Sequence, residues 1–271
     1  MPSHGSSRTT SVRLLTRAVR RSQPRASNRD RQEADSAVCN LALVFLTAAL
    51  LTLSATAQPA SAPATPKASA AIDVTGYWVA LVTEDWRFRM ITPHKADYQP
   101  VPMTPEARKI ADAWDPAADE AAGNQCKSYG AAAIMRVPAR FHITWQDENT
   151  LRVESDAGMQ TRLFHFNPQP PSAQRTWQGD STAQWERPSS LRVATTNMRA
   201  GYLRKNGVPY SENAAVTEYF EIAPHPDGGQ VLLITTIVTD PQYLQQPFIV
   251  SSQFKKEEGA SKWDPTPCTA R

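Results

Sequence analysis

From Ala139 to Phe166 the chain alternates apolar and polar residues almost one for one, and no other feature constrains the fold as tightly. Phe141, Ile143 and Trp145 interleave with Arg140, His142 and Thr144. Leu151 and Val153 interleave with Arg152, Glu154 and Asp156. Successive side chains of a strand point to opposite faces, so a period of two reads as strand with one buried face. Asp147-Glu148-Asn149 and Asp156-Ala157-Gly158 supply turns between the runs, which predicts a three-strand meander. Further strand patterns lie at 181–186, 191–199, 216–222, 230–240 and 247–256. Together they predict a mainly β fold, an antiparallel barrel of about eight to nine strands. Closing such a sheet on itself leaves no exposed edge.

The stretch 73–90 reads as the opening strand. Its even positions are Trp78, Ala80, Val82, Glu84, Trp86, Phe88 and Met90. If the strand is regular, these face inward and Glu84 stands among aromatic rings, where burial raises a carboxyl pKa unless a partner offsets it. A bulge at residues 83–85 would instead turn Glu84 outward. Residues 91–102 hold three prolines and read as loop. One or two short helices follow. Thr104 can cap the first, with Pro105 at its first position, and Asp115-Pro116 repeats the signal.

Residues 1–57 carry eight Arg and three acids, leaving 21 basic and 23 acidic residues in the rest of the chain. The net charge of +3 therefore belongs to the leader, and no basic surface points to nucleic acid as a partner. Arg-rich sequence, the apolar run Leu41 to Leu53 and Ala55-Thr56-Ala57 have the order of a secretory signal peptide cut after Ala57. The expected organisation is a signal peptide at 1–57, a disordered Ala/Pro-rich linker at 58–71, and a single β-barrel domain at 72–271. Localisation is expected to be periplasmic or secreted, with membrane contact only through the leader, and the protein is expected to be a monomer. Beyond the leader two cysteines remain, Cys126 and Cys268, which in an oxidising compartment are expected to pair. No metal is expected, because no Cys-x-x-Cys or close Cys/His cluster exists. No phosphate loop or dinucleotide fingerprint occurs either, so no cofactor is expected.

Gly76-Tyr77-Trp78 resembles the Gly-x-Trp opening of lipocalin-like (calycin-like) barrels. The resemblance implies that Trp78 plugs the closed end of the barrel. It also implies that a basic residue of the last strand, Lys255 or Lys256, covers its ring. Stretches such as GYWVALVTEDWRFRM, ITWQDENTLRVESDAGMQTRLFHF and LRKNGVPYSENAAVTEYF resemble a family of exported bacterial proteins to which no activity attaches. That likeness implies export and nothing about chemistry.

The candidate ligand-binding residues are Glu84, Trp86, Phe88, Tyr202, Arg204 and Glu218. Glu218 alternates with Val216 and Phe220, so it too can point inward. Arg199, Tyr202, Arg204, Lys205 and Tyr210 surround an Asn206-Gly207 hairpin tip, where basic and aromatic residues together suit an anionic or amphipathic ligand. His142 and Glu154 face each other if 147–149 is the turn. With Glu84 they form the acid/base alternative, against which stands an ordinary cross-strand pair on the polar face. The first functional expectation is an exported barrel that binds a small, mostly apolar ligand in its interior. The alternatives are an enzyme acting on a small molecule in the same cavity, and a non-catalytic envelope protein that binds a partner through its surface.

Overall fold

The computed structural model describes residues 64–271 apart from Arg187. The expected signal peptide and its cleavage site lie outside the described residues. Eleven strands form: β1 (Gly76–Leu81), β2 (Arg140–Asp147), β3 (Thr150–Ser155), β4 (Gln160–His165), β5 (Asp180–Glu186), β6 (Ser190–Thr196), β7 (Gly201–Tyr202), β8 (Pro209–Tyr210), β9 (Ala215–Pro224), β10 (Gln230–Thr239) and β11 (Phe248–Glu257). Nine of them close a barrel in the order β1-β11-β10-β9-β6-β5-β4-β3-β2, and β7 and β8 make a separate two-stranded ribbon.

The barrel is mixed where a purely antiparallel one was expected. β4 meets β5 in parallel through Phe164 beside Ser181 and His165 beside Thr182. The reason is arithmetic. Strands that alternate in direction around a ring can all be antiparallel only if their number is even, so nine strands need one parallel seam. The chain provides it at the Pro-rich crossing between β4 and β5, which is too long for a tight hairpin.

The opening strand is shorter than expected. β1 ends at Leu81. Thr83 then donates to the Gln253 side chain at 2.7 Å, and Gln253 Nε2 donates to Glu84 at 2.7 Å. Asp85 adopts a left-handed conformation and starts a helical turn, α1 (Trp86–Arg89). Polar residues that satisfy themselves on the neighbouring β11 thus end the strand before its aromatic half. Two capped helices follow. In α2 (Pro105–Asp112) the Thr104 hydroxyl accepts from Ala107 N, and in α3 (Pro116–Ala121) the Asp115 carboxylate accepts from Ala117 N and Ala118 N.

Inward-facing residues fill the barrel. Trp78, Leu151, Leu191, Val193, Phe220 and Phe254 are 0 % exposed, so no water-sized gap abuts them. Phe141 meets Phe254 edge to face at 5.2 Å, and Phe164 meets Phe220 at 5.6 Å. Trp78 donates from its indole to Val74 O at 2.9 Å, and Lys256 lies 5.3 Å over its ring. One end of the barrel is closed by Trp145, Phe166 and Trp185. Trp185 donates to Pro66 O at 2.7 Å, and Lys67 N donates to Glu148 O at 3.2 Å. Residues 65–69, expected within a disordered linker, are therefore bound to this end. They have few apolar side chains to bury, but their backbone supplies hydrogen bonds that Trp185 and Glu148 take up.

The opposite end is where β1, β6 and β10 finish. There a second apolar cluster joins the insertion after β1 to the β7–β8 ribbon and the strand ends, through Tyr98, Ala107, Leu203, Val208, Val216 and Phe248. The buried Asp240 carboxylate fastens this cap, accepting from Ser211 N at 2.6 Å and Ser211 Oγ at 2.8 Å.

Candidate functional site

The C-terminal tail runs along the β3–β4 turn, where Gly158 N donates to Thr266 O at 2.8 Å and Thr266 N to Asp156 O at 2.9 Å. A disulfide between Cys126 and Cys268 holds it there. Between the tail, the α1 turn, the segment after α3 and the β7–β8 ribbon lies a cleft of about 470 Å³. That volume suits a small molecule. Phe88, Met90, Ile91, Val137 and Leu203 give it apolar walls. Its charged side chains are all basic: Arg89, Arg136, Arg204, Lys205 and Arg271, with no carboxylate side chain among the lining residues.

Three of these arginines are buried in the cap. Arg136 donates to Asp85 at 3.0 Å. Arg89 donates from Nε to Arg136 O at 2.9 Å, but among the described residues its Nη1 and Nη2 have no partner. Arg204 lies 4.2 Å over the Phe88 ring and donates from Nη1 to Gln99 O at 2.7 Å, while its Nε and Nη2 have no partner among the described residues. Arg89 is 8 % exposed and Arg204 4 %. Burial, and then the Arg136 cation, lower the Arg89 guanidinium to about 10, and the same two causes lower Arg204 to about 10. The protonated forms are thus held at a cost, because charge is buried beside like charge with donors unused.

Lys205 anchors the tail side. It donates to Tyr129 Oη at 2.7 Å and to Arg271 O at 3.0 Å. Burial alone would raise the Tyr129 phenol, but the hydrogen bonds from Lys205 and Thr269 and the Lys205 charge outweigh it, and the group sits below its ordinary value of 10.0.

Of the residues expected from sequence, Arg204 and Phe88 come together in the cleft. Trp86 is exposed beside it, on the same turn. Tyr202 lies apart, donating to Asp119 at 2.8 Å, and burial with that bond raises its pKa. Glu84 is exposed and never enters the barrel, because β1 has ended before it. It is instead one of the acidic charges that support the Arg89 cation. Glu218 does point inward, fully buried, but it accepts from Arg162 at 3.0 and 2.6 Å and so serves as that cation's counter-ion. His142 and Glu154 pair across β2 and β3 at 3.5 Å on the outer face, where His142 stacks on Tyr77 at 4.1 Å. Bonding to Arg152 lowers the Glu154 pKa. The acid/base trio of Glu84, His142 and Glu154 is therefore not assembled. Arg89, Arg136 and Tyr129 were missed. Their only sequence signal is charge or a phenol inside otherwise apolar runs, such as Arg136 in AAAIMRVP.

Among the described residues no group of three or more His, Cys, Asp or Glu side chains gathers as a metal site. No helix among them is long and apolar enough to cross a membrane. Neither a protein family, nor a curated protein, nor a solved structure is detectably similar to this chain.

Proposed function

We propose that the protein is an exported, lipocalin-like barrel protein that binds a small amphipathic anion in the cleft at the capped end. One observation carries the reading: Arg89 and Arg204 are buried with unused donors, and no acidic side chain is among the residues that line the cleft beside them. A phosphate or carboxylate in the cleft would offset their charge, and a shift of either side chain toward it would let it accept the unpaired N–H groups, which the cap now covers. The apolar walls suit a short hydrocarbon attached to it. This moves the ligand from the barrel interior, which side chains fill, to the cap. Export is supported by the disulfide, which belongs to an oxidising compartment.

Calorimetric titration with hexyl phosphate, against hexanol as the uncharged control, tests the reading. Hexyl phosphate is expected to bind and hexanol is not. Arg204→Met and Lys205→Met should each weaken binding about 10- to 100-fold, the usual size of a lost charge-assisted hydrogen bond. Equal binding of both compounds, or unchanged binding by both variants, would contradict it.

A further inference from the structure

Trp86, Met90 and Ile91 are 66 %, 59 % and 69 % exposed, three of the five large apolar side chains most open to solvent among the described residues. They fall within six residues. Met90 N donates to Trp86 O at 2.9 Å across the α1 turn, which places residues 86 and 90 one above the other on the same face. Ile91 follows Met90 directly and is the most exposed of the three. Nothing in the fold requires this exposure. Every other Phe, Tyr and Trp among the described residues is buried or half-buried, yet here the chain holds a tryptophan in water.

The neighbours of this face decide what it meets. Met90 and Ile91 themselves line the basic cleft, and Arg87 on the same turn is exposed while paired with Asp97. A protein partner with an apolar patch would account for the three side chains but not for the cationic cleft beside them. A nucleic acid would account for the cations but not for an exposed Met-Ile pair. A surface that is apolar a few ångströms below a layer of phosphates accounts for both. Tryptophan settles at that boundary, with its ring among the upper hydrocarbon and its indole N–H in the headgroups. Interfacial binding grows with apolar area inserted and with attraction between basic residues and anionic lipid.

We infer that the face formed by Trp86, Met90 and Ile91 docks on an anionic phospholipid membrane, and that the ligand phosphate of the adjacent cleft is a lipid headgroup. The inference rests on the anion-binding reading of the cleft and adds a surface to it. It also gives the folded domain a membrane contact of its own, apart from any made through the leader.

The test uses the mature chain with vesicles of phosphatidylglycerol and phosphatidylcholine in equal parts, and vesicles of phosphatidylcholine alone. Co-sedimentation is expected with the first and little with the second, with a blue shift of tryptophan emission that is absent in Trp86→Phe. The surface variant Trp86→Ser, at a residue outside the lining of the cleft, should keep hexyl phosphate binding and lose vesicle affinity by about tenfold, since the indole would forfeit the burial of its apolar area. Arg204→Met should weaken both. Three results would overturn the inference: no sedimentation of wild type with anionic vesicles, equal sedimentation with both compositions, or an unchanged vesicle affinity in Trp86→Ser. Hexyl phosphate binding that persists in any of these cases leaves the cleft reading standing. Failure of hexyl phosphate to bind, with vesicle binding intact, removes the headgroup assignment together with the cleft reading.

Discussion

Lys205 donates a hydrogen bond to Tyr129 Oη at 2.7 Å, and its ammonium lies 4.8 Å from the centre of the same ring. The ammonium therefore sits off the phenol oxygen, near the ring plane, and acts on the hydroxyl. Tyr129 is expected to ionise below the ordinary tyrosine value near 10. In Lys205→Met only the Thr269 hydrogen bonds still oppose burial, and the group should titrate above its wild-type value. The sign for stability follows. A group depressed in the fold contributes stability that is complete above its unfolded value and lost as pH falls through its folded one. Ultraviolet titration of the wild type and the variant checks this, and a wild type with no tyrosine ionising early would contradict it.

Arg162 and Glu218 form an ion pair at the centre of the barrel, with side chains 2 % and 0 % exposed. Arg162 also donates to Thr195 Oγ1 at 3.2 Å. Glu218→Gln leaves a buried cation without its counter-charge and should cost about 3–5 kcal/mol. The double variant R162M/E218M removes both charges and should recover most of that loss. Urea unfolding of the three proteins checks it. A double variant no more stable than Glu218→Gln would show that the remaining hydroxyls, not the charge, set the cost.

The Cys126–Cys268 bond closes a loop spanning a sequence separation of 142 residues. The chain-entropy model gives it about 5 kcal/mol. The double variant C126S/C268S should unfold at correspondingly lower urea. It should also bind hexyl phosphate more weakly, because residues 266–271 form one wall of the cleft and this bond secures them. Intact affinity in the double variant would mean that the Asp156 and Gly158 hydrogen bonds alone hold the tail.

Gly207 has φ +81°, and a Cβ there would meet Trp114 at 2.3 Å. Gly228 has φ +88° with nothing within 4 Å. Alanine at 228 should cost only the backbone strain, about 1 kcal/mol. Alanine at 207 should cost clearly more, because Trp114 and the ribbon tip carrying Arg204 and Lys205 must shift. Thermal unfolding of the two variants separates steric from conformational cost. Equal losses would contradict the difference.

Local pattern carried much of the fold. Period-two alternation located the meander, and the turn at 147–149 set the register that pairs His142 with Glu154. Thr104 and Asp115 marked their helices. What escaped depended on partners far along the chain. Arg162 shares the inward parity of Phe164, which reads as an error until Glu218, 56 residues later, is brought opposite. The end of β1 depends on Ser251 and Gln253, which receive Glu84 from across the sheet. The cleft draws on five separated segments, and closure of the barrel with the disulfide brings them together. Of these the ribbon tip alone carried a local signal, its basic and aromatic residues around Asn206-Gly207.

The most direct measurement is the arginine Nε–H spectrum of the protein, recorded by ¹⁵N nuclear magnetic resonance as hexyl phosphate is added. Arg204 Nε has no partner among the described residues, whereas Arg89 Nε is already bonded to Arg136 O. The Arg204 signal is expected to move strongly to lower field as it gains an oxygen partner, the Arg89 signal to move less, and Arg162 in the barrel centre to stay fixed. Hexyl phosphate that leaves Arg204 unmoved, or shifts only exposed arginines such as Arg87, would contradict an anion site in the cleft.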